Sequence, residues 1–378
     1  MILYSFLLLV VGVYALVLLA CAWAWFHLPS LHNNPPAPKA FFSVIIPVKD
    51  ESANILNLLQ DLERQMYPKS SFEVLVIDDH SSDKTPDLVE EFQRSSSLNL
   101  RLLFLASFPE NRLKKGAITL GISLAKDDWI ACTDGDCRVK ENWLESTNQC
   151  RYEQNAKLVS GPVTLSTDAS WFQKLQALEF AALIGVGGAC IGLQKPTMCN
   201  GANIAYEKAV FLAVNGFEGN ADIPSGDDEF LMHKVHQKYP GQVAFLKDRQ
   251  AIVSTNALAS FSGFIEQRKR WASKWKHYTS LMPQALALLV LGVNVALWLA
   301  IGLALSGIIS WTSLAAMVLL KLLPDALLLI QVLGFFQKRK LILLIGLLQI
   351  MYVPYVLVTA ILGWRGTYAW KDRQHVAS

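Results

Sequence analysis

Apolar residues are spread unevenly along the chain. Residues 1–26 form one apolar run without a single charge, and three further runs lie near the other end, at 285–309, 311–336 and 341–364. About 20 apolar residues cross a bilayer as a helix, so each run predicts a membrane-crossing helix. The third run carries Lys321, Pro324 and Asp325. Ionisable groups at that depth face other helices or a polar path, or mark a segment that is partly re-entrant. Between the ends the period changes. Short apolar runs at 42–48, 72–77, 100–105 and 129–133 read as buried strands, and 54–65, 85–94 and 117–125 have helical spacing. Strands alternating with helices predict an α/β fold with a mostly parallel sheet. A run at 175–193 is apolar but broken by Gly185, Gly187, Gly188 and Gly192, and is expected as an interfacial helix, as is 262–278.

These boundaries divide the chain into an anchor at 1–27, a Pro-rich linker at 28–40, an α/β domain at 41–278, three membrane helices within 283–364 and a tail at 365–378. A cleaved signal peptide is the competing reading of the first run. It has a basic start and a shorter apolar core, and neither is present, so a retained anchor is expected.

Composition agrees with a mixed protein: 52% of the 378 residues are hydrophobic and 17% charged. A net charge of +3 gives no argument for a nucleic-acid partner. The six cysteines show no C-x-x-C spacing, which argues against a zinc or disulfide framework. Basic residues set the orientation. Lys39 follows the first run, Arg268, Lys269, Arg270, Lys274 and Lys276 precede the second, and Lys338–Lys340 separate the third from the fourth. An outside N-terminus and four spans put all three groups in the cytosol, at the expense of Arg365, Lys371 and Arg373 in an outside tail.

The candidate chemistry lies at strand and helix ends. Asp134-Gly135-Asp136 follows the apolar run at 129–133. Two carboxylates spaced by one residue in extended chain point to the same side, which suits a divalent cation that also binds phosphates. Turns use the same residues. Asp78-Asp79 follows another strand, where ligands of parallel sheets bind, although an acidic pair there also caps helices. Asp227-Asp228 heads a helix expected at 229–238, as a general base or as a cap. Gln267-Arg268-Lys269-Arg270-Trp271 precedes a membrane segment. Its Arg270 suits bidentate contact with a diphosphate and Trp271 suits stacking on a sugar, while a snorkelling interfacial helix explains the same residues. His233, His236 and His277 are isolated and expected at the surface rather than on a metal.

Together these motifs resemble glycosyltransferase family 2, the inverting enzymes of GT-A fold, and especially its membrane-bound branch, over residues 41–278. Ser43 to Glu51 is similar to the family's opening strand and Pro-x-x-Asn-Glu turn, with Asp50 in place of Asn. Val76 to Asp83 is similar to its Asp-Asp-Gly-Ser-x-Asp loop, with His80 in place of Gly. Gln267 to Trp271 matches its Gln-x-x-Arg-Trp motif.

The resemblance implies a GT-A domain on the cytosolic face of the plasma or inner membrane, flanked by transmembrane helices. It would move a sugar from a UDP-sugar to a hydroxyl of a lipid-linked or polysaccharide acceptor. Pro47, Glu51, Asp78, Asp79 and Lys114 would surround the nucleotide. Asp134 and Asp136 would hold Mg²⁺ or Mn²⁺, with Asp134 and Arg270 also near the diphosphate. Asp228 would be the base, with Asp227 beside it. Asn200, Gly201, Gln267 and Trp271 would line the acceptor side. The competing expectation is a catalytically silent GT-A scaffold in a polysaccharide export complex. Its sign would be loss of Asp134, Asp136, Asp228 or Arg270, and all four are present. A transporter, suggested by Lys321 and Asp325, is the third class.

The orientation can be tested directly. A cysteine label placed in the Lys338–Lys340 loop is expected to react only from the cytosol, as is one near Asp134. Labelling of that loop from outside intact cells overturns the four-span arrangement.

Overall fold

The computed structural model describes the chain except residues 1, 33–35, 109–112, 127, 167–169, 222, 224, 279, 366, 371–372 and 377–378. Part of the expected linker (33–35) and Lys371 of the expected tail therefore lie outside the described residues. In chain order the helices are α1 (Ile2–His27), α2 (Ile55–Glu63), α3 (Thr85–Ser95), α4 (Leu113–Leu124), α5 (Trp143–Glu153), α6 (Trp171–Gly192), α7 (Lys208–Ala213), α8 (Asp227–Lys238), α9 (Phe261–Ser273), α10 (Leu281–Leu305), α11 (Trp311–Phe335) and α12 (Ile345–Arg365). The strands are β1 (Phe42–Val48), β2 (Phe72–Asp78), β3 (Leu100–Phe104), β4 (Trp129–Cys132), β5 (Leu158–Ser160), β6 (Val163–Leu165), β7 (Ile204–Glu207), β8 (Val243–Phe245) and β9 (Val253–Thr255), followed by a short pair in the tail, β10 (Thr367–Trp370) and β11 (Arg373–Val376). They fall into two compact units: Leu28–Ser166 with Pro196–Ala257, and Met1–His27 with Thr167–Lys195 and Leu258–Ser378.

The first unit is an α/β layer structure around a seven-stranded sheet of order β3-β2-β1-β4-β7-β5-β8. β1 pairs in parallel with both β2 and β4, and only β7 runs antiparallel to its neighbours. β1 and β2 are near-continuous apolar runs because both faces of a parallel sheet are covered. Their polar members are matched across the ladder. Ser43 lies opposite Glu73, and its hydroxyl donates to Glu73 Oε1 at 2.7 Å. α2 and α4 cover the sheet with leucine and isoleucine faces, and Gly121 of α4 is required because a Cβ there would meet Ile45 at 2.9 Å. The strand ends of β1, β2 and β4 therefore open on the same edge, which is where the acidic motifs fall.

The second unit is helical. α1, α6, α10 and α11 are each long and apolar enough to cross a membrane. α1 packs on α6, α10 and α11 along a stripe of Leu7, Val11, Tyr14, Leu18, Cys21 and Trp25, spaced by three and four residues. Its other faces expose Phe6, Leu9, Leu16 and Phe26, which suits lipid rather than water. α11 is one continuous helix, so Lys321 and Asp325 are not the mark of a re-entrant segment. Their side chains pair at 2.8 Å. Tyr14 of α1 donates to Asp325 at 2.7 Å, Gln349 of α12 donates to it at 2.7 Å, and Lys321 also bonds the Gln349 carbonyl oxygen. The charge pair is thus neutralised and saturated inside the helical unit.

α6 is longer than the sequence suggests and mostly buried, against α1, α11 and α12. Its glycines explain this. A Cβ on Gly185 would stand 2.5 Å from Val332 of α11, so the helices approach to a distance only glycine permits. The residues on both flanks of α6 belong to one sheet, since β7 pairs with β4 and β5. A single crossing would put those strands on opposite sides of a bilayer.

Gly161, between β5 and β6, tests the packing of the sheet. A Cβ there would lie 2.3 Å from the Asn203 amide, which cannot withdraw. Asn203 accepts from Trp143 Nε1 and donates to the Pro162 and Ala251 carbonyls, each at 2.9 Å. Gly161→Ala is expected to cost about 2–3 kcal/mol, read as a lower thermal unfolding midpoint. Gly12→Ala, where a methyl meets nothing within 4 Å, is the control that should leave it unchanged.

Candidate active site

The two acidic motifs meet in the α/β unit through one lysine. Lys114, in the first turn of α4, places Nζ 2.6 Å from Asp134 Oδ1 and 3.6 Å from Asp227 Oδ2. Burial alone would push its ammonium down, but Asp134, Asp227 and Asp228 outweigh that and hold it well above its ordinary value. Lys114 is therefore a permanent cation here. It faces Asp134 and Asp227 directly with Asp228 close by, and carboxylates gathered in this way attract cations.

Asp134 and Asp136 lie just beyond β4. One oxygen of each, with the Cys137 sulfur, falls within 4.8 Å of the others, and among the described residues no histidine joins the group. Thr255 of β9 donates to Asp136 Oδ2 at 2.9 Å and fixes that carboxylate. Burial pushes the Cys137 thiol up, so the charge on offer comes from the carboxylates. Hard oxygen donors of this kind fit Mg²⁺ or Mn²⁺ better than a soft metal. Gly135 serves packing rather than ligand approach: a Cβ there would stand 2.8 Å from Val48 and 3.1 Å from Glu51.

Asp227 and Asp228 open α8, two residues earlier than the spacing suggests, behind Gly226 at φ 80°. Asp228 is gripped by backbone. Its Oδ2 accepts from the Gly201 N–H at 2.7 Å and its Oδ1 from the Glu229 N–H at 2.8 Å. Gly201 has to be glycine, because a Cβ would lie 3.1 Å from Asp227 Oδ2. Asn200 accepts from the Ala202 N–H. Asn203, three residues on, turns into the core. The loop before α8 is held by a residue that motif reading passes over: Lys115 donates to the Asn220 and Ile223 carbonyls at 2.5 and 2.9 Å and is buried.

A second group lies at the ends of β1 and β2. Pro47 closes β1, Asp78 ends β2, and the Asp79 N–H donates to the Val48 carbonyl at 2.8 Å. The Glu51 N–H donates to Thr85 Oγ1, and its carboxylate accepts from Asn54. Asp83 ties the loop together: despite burial, bonds from Ser52 and Thr85 hold its carboxyl well below the usual range.

Gln267, Arg270 and Trp271 belong to the helical unit, on α9. The residue that anchors them is the unassigned Arg268. It pairs with Glu179 of α6 inside the unit, donates to Tyr355 at 2.7 Å and to Gln267 Oε1 at 2.7 Å, and lies 4.2 Å over the Trp271 ring. The signal for it was Glu179, an ionisable residue inside an apolar helix.

Residues 129–364 match the family model of Glycosyl transferase family group 2, and residues 43–212 match that of Glycosyl transferase family 2. The chain is similar to Glycosyltransferase AglE of Haloferax volcanii, 38% identical over 105 residues, which are 28% of this chain and 33% of that protein. Dolichyl-phosphate beta-glucosyltransferase of Dictyostelium discoideum is 34% identical over 116 residues, 29% of this chain and 35% of that protein. The chain thus spans about a third of the length of these curated relatives. The solved structure of mannosyltransferase PcManGT from Pyrobaculum calidifontis, in complex with GDP-Man and Mn²⁺, matches with a TM-score of 0.59 at 17% identity, over 95% of this chain and 99% of that one. That likeness is one of fold.

The acidic group makes a prediction that needs no turnover. Mn²⁺ titrated into the purified chain is expected to bind at Asp134 and Asp136, read from loss of the free-ion paramagnetic resonance signal. Asp136→Asn should weaken binding at least about tenfold, because it removes one of two charged ligands. Equal binding by the variant would place the ion elsewhere.

Proposed function

This chain belongs to glycosyl transferase family group 2, with an α/β unit of GT-A fold, and on that premise we propose that it is a membrane-bound inverting glycosyltransferase. It moves a sugar from a UDP-sugar to a hydroxyl of a lipid-linked or polysaccharide acceptor, on the cytosolic face of the membrane. The observation that carries the reading is Lys114, which joins the Asp134 carboxylate and the head of α8 in one site. A metal-type acid pair and a candidate base within reach of one cation suit a reaction in which a diphosphate leaves as a hydroxyl attacks.

Each residue then has a role. Asp79, Glu51 and Pro47 frame the nucleoside, whose N–H and hydroxyl groups need acceptors. Asp134 and Asp136 hold Mg²⁺ or Mn²⁺, which when bound supplies charge stabilisation for the leaving diphosphate. Lys114 adds a fixed positive charge beside the same oxygens. Asp228 takes the proton of the acceptor hydroxyl. Its two backbone donors fix the carboxylate. Asp227, facing Lys114, balances charge. Gln267, Arg270 and Trp271, which the family resemblance links to the diphosphate and the acceptor, lie on α9 of the helical unit. A lipid-linked acceptor is in keeping with the dolichyl-phosphate named for one relative.

The direct test incubates the purified chain in detergent with a panel of UDP- and GDP-sugars and measures nucleotide release with and without Mn²⁺. Asp228→Asn is nearly isosteric and cannot accept the proton, so turnover should fall about 10²–10⁴-fold with UDP affinity little changed. Asp227→Asn should be milder. Near-native turnover in Asp228→Asn with a dead Asp227→Asn reverses the two roles, and normal turnover in both moves the base elsewhere.

A further inference from the structure

Among the described residues, the segment between α7 and α8 is in neither helix nor strand. Gly219 and Gly226 stand there at φ 79° and 80°. Turns close within the segment: the Glu218 N–H donates to the Asn215 carbonyl at 2.9 Å and the Asn220 N–H to the Phe217 carbonyl at 3.0 Å. Local bonds of this kind shape a loop without fixing where it sits on the domain. Yet this loop delivers Asp227 and Asp228.

Lysines fix it. Lys234 of α8 donates to the Gly216 and Glu218 carbonyls at 2.8 and 2.7 Å, which ties the first half of the loop to the helix it leads into. Lys115 ties the second half to a different element. From the first turn of α4 it donates to the Asn220 and Ile223 carbonyls. Its Nζ also lies 5.2 Å from the centre of the Phe230 ring, in the first turn of α8. The residue is 4% exposed, and an ammonium is buried at a cost that bonds to its protons must offset. α4 is itself seated on β1, with Gly121 against Ile45. Adjacent residues of a helix point about 100° apart. Lys114 therefore addresses Asp134 and Asp227, while Lys115 addresses the loop and Phe230.

We propose that Lys115 is a positioning residue for Asp228, setting where that carboxylate stands relative to Asp134, a step that rests on the glycosyltransferase reading above. It acts through the loop and the first turn of α8, and not on the reacting atoms. Without the ammonium two carbonyls lose this donor, and the head of α8 is referred to the sheet less firmly. A shift of about 1 Å in a reacting group costs about 100-fold in rate. Asp136 is held separately, by Thr255, so the cation site should not follow the change.

The test uses the full chain in detergent and has two readouts. Hydrogen exchange follows the amides of Gly201 and Glu229, both bonded to Asp228. Lys115→Met keeps the length of the stem and removes the donors. It should speed exchange at both amides about tenfold or more, while the Asp79 amide, bonded to Val48, exchanges as in the native chain. Nucleotide release from a UDP-sugar should show kcat down about 10–100-fold, with KM and Mn²⁺ affinity unchanged. Lys115→Arg keeps donors on a long stem and should recover most of both losses. Should Lys115→Met not fold, Lys115→Gln, a shorter neutral donor, gives the same changes in smaller measure. Native kcat, or native exchange at Gly201 and Glu229, overturns the assignment. So does a loss of Mn²⁺ affinity equal to the loss of kcat, because general loosening then accounts for the rate. A native chain that releases nucleotide from no sugar sinks the glycosyltransferase reading, and the exchange readout alone then decides whether Lys115 positions Asp228.

Discussion

The ammonium of Lys114 is the contact on which the site depends. Four carboxylates come from chain segments about 90 residues apart, and their mutual repulsion opposes any fold that gathers them. A buried ion pair is weak evidence of stability, since desolvation offsets most of its attraction. Here the cation does something else: it makes the convergence possible. The backbone contributes in the same sense. Gly201 and Glu229 offer N–H donors to Asp228, and the start of α8 turns its positive end toward the acids. Carboxylates gathered in this way are what a divalent ion would meet.

The helical unit handles charge by a different rule. Lys321 with Asp325, and Arg268 with Glu179, are each opposite in sign and bonded to a tyrosine and a glutamine or its equivalent. Neither pair leaves a net charge among the helices. Arg268 matters beyond its pair, because its guanidinium covers Trp271 and bonds Gln267, so the ends of the motif are braced by a residue in it that had no assigned role.

Legibility in the sequence followed how each element earns its stability. β1, β2 and β4 are buried on both faces, and an apolar run bounded by polar turns reports that directly. β5, β7 and β8 are three or four residues long and carry no period, so only pairing defines them. Asp134, Asp227 and Lys114 were legible as residue types at element ends, yet their meeting is a tertiary fact. Lys115 and Asn203 were not legible as structural residues, because a buried lysine capping carbonyls and a buried amide bridging three segments look like any surface residue in a string. The glycines of α6 read as a weakness of a membrane segment and proved to be its packing surface.

The same helix has a consequence for how the chain is made. During synthesis α6 emerges as a 22-residue helix that, like α1, α10 and α11, is long and apolar enough to cross a membrane. Committing it to the bilayer as a crossing would invert every later segment and separate β4 from β7. If α6 is not committed, it waits for α11 and α12, which emerge more than a hundred residues later, to cover its glycine face. Until then an aggregation-prone surface stands exposed in the middle of the polypeptide. Biogenesis of this protein is therefore most vulnerable at α6, and chaperone dependence should track the lag between α6 and the last helices rather than the folding of the sheet.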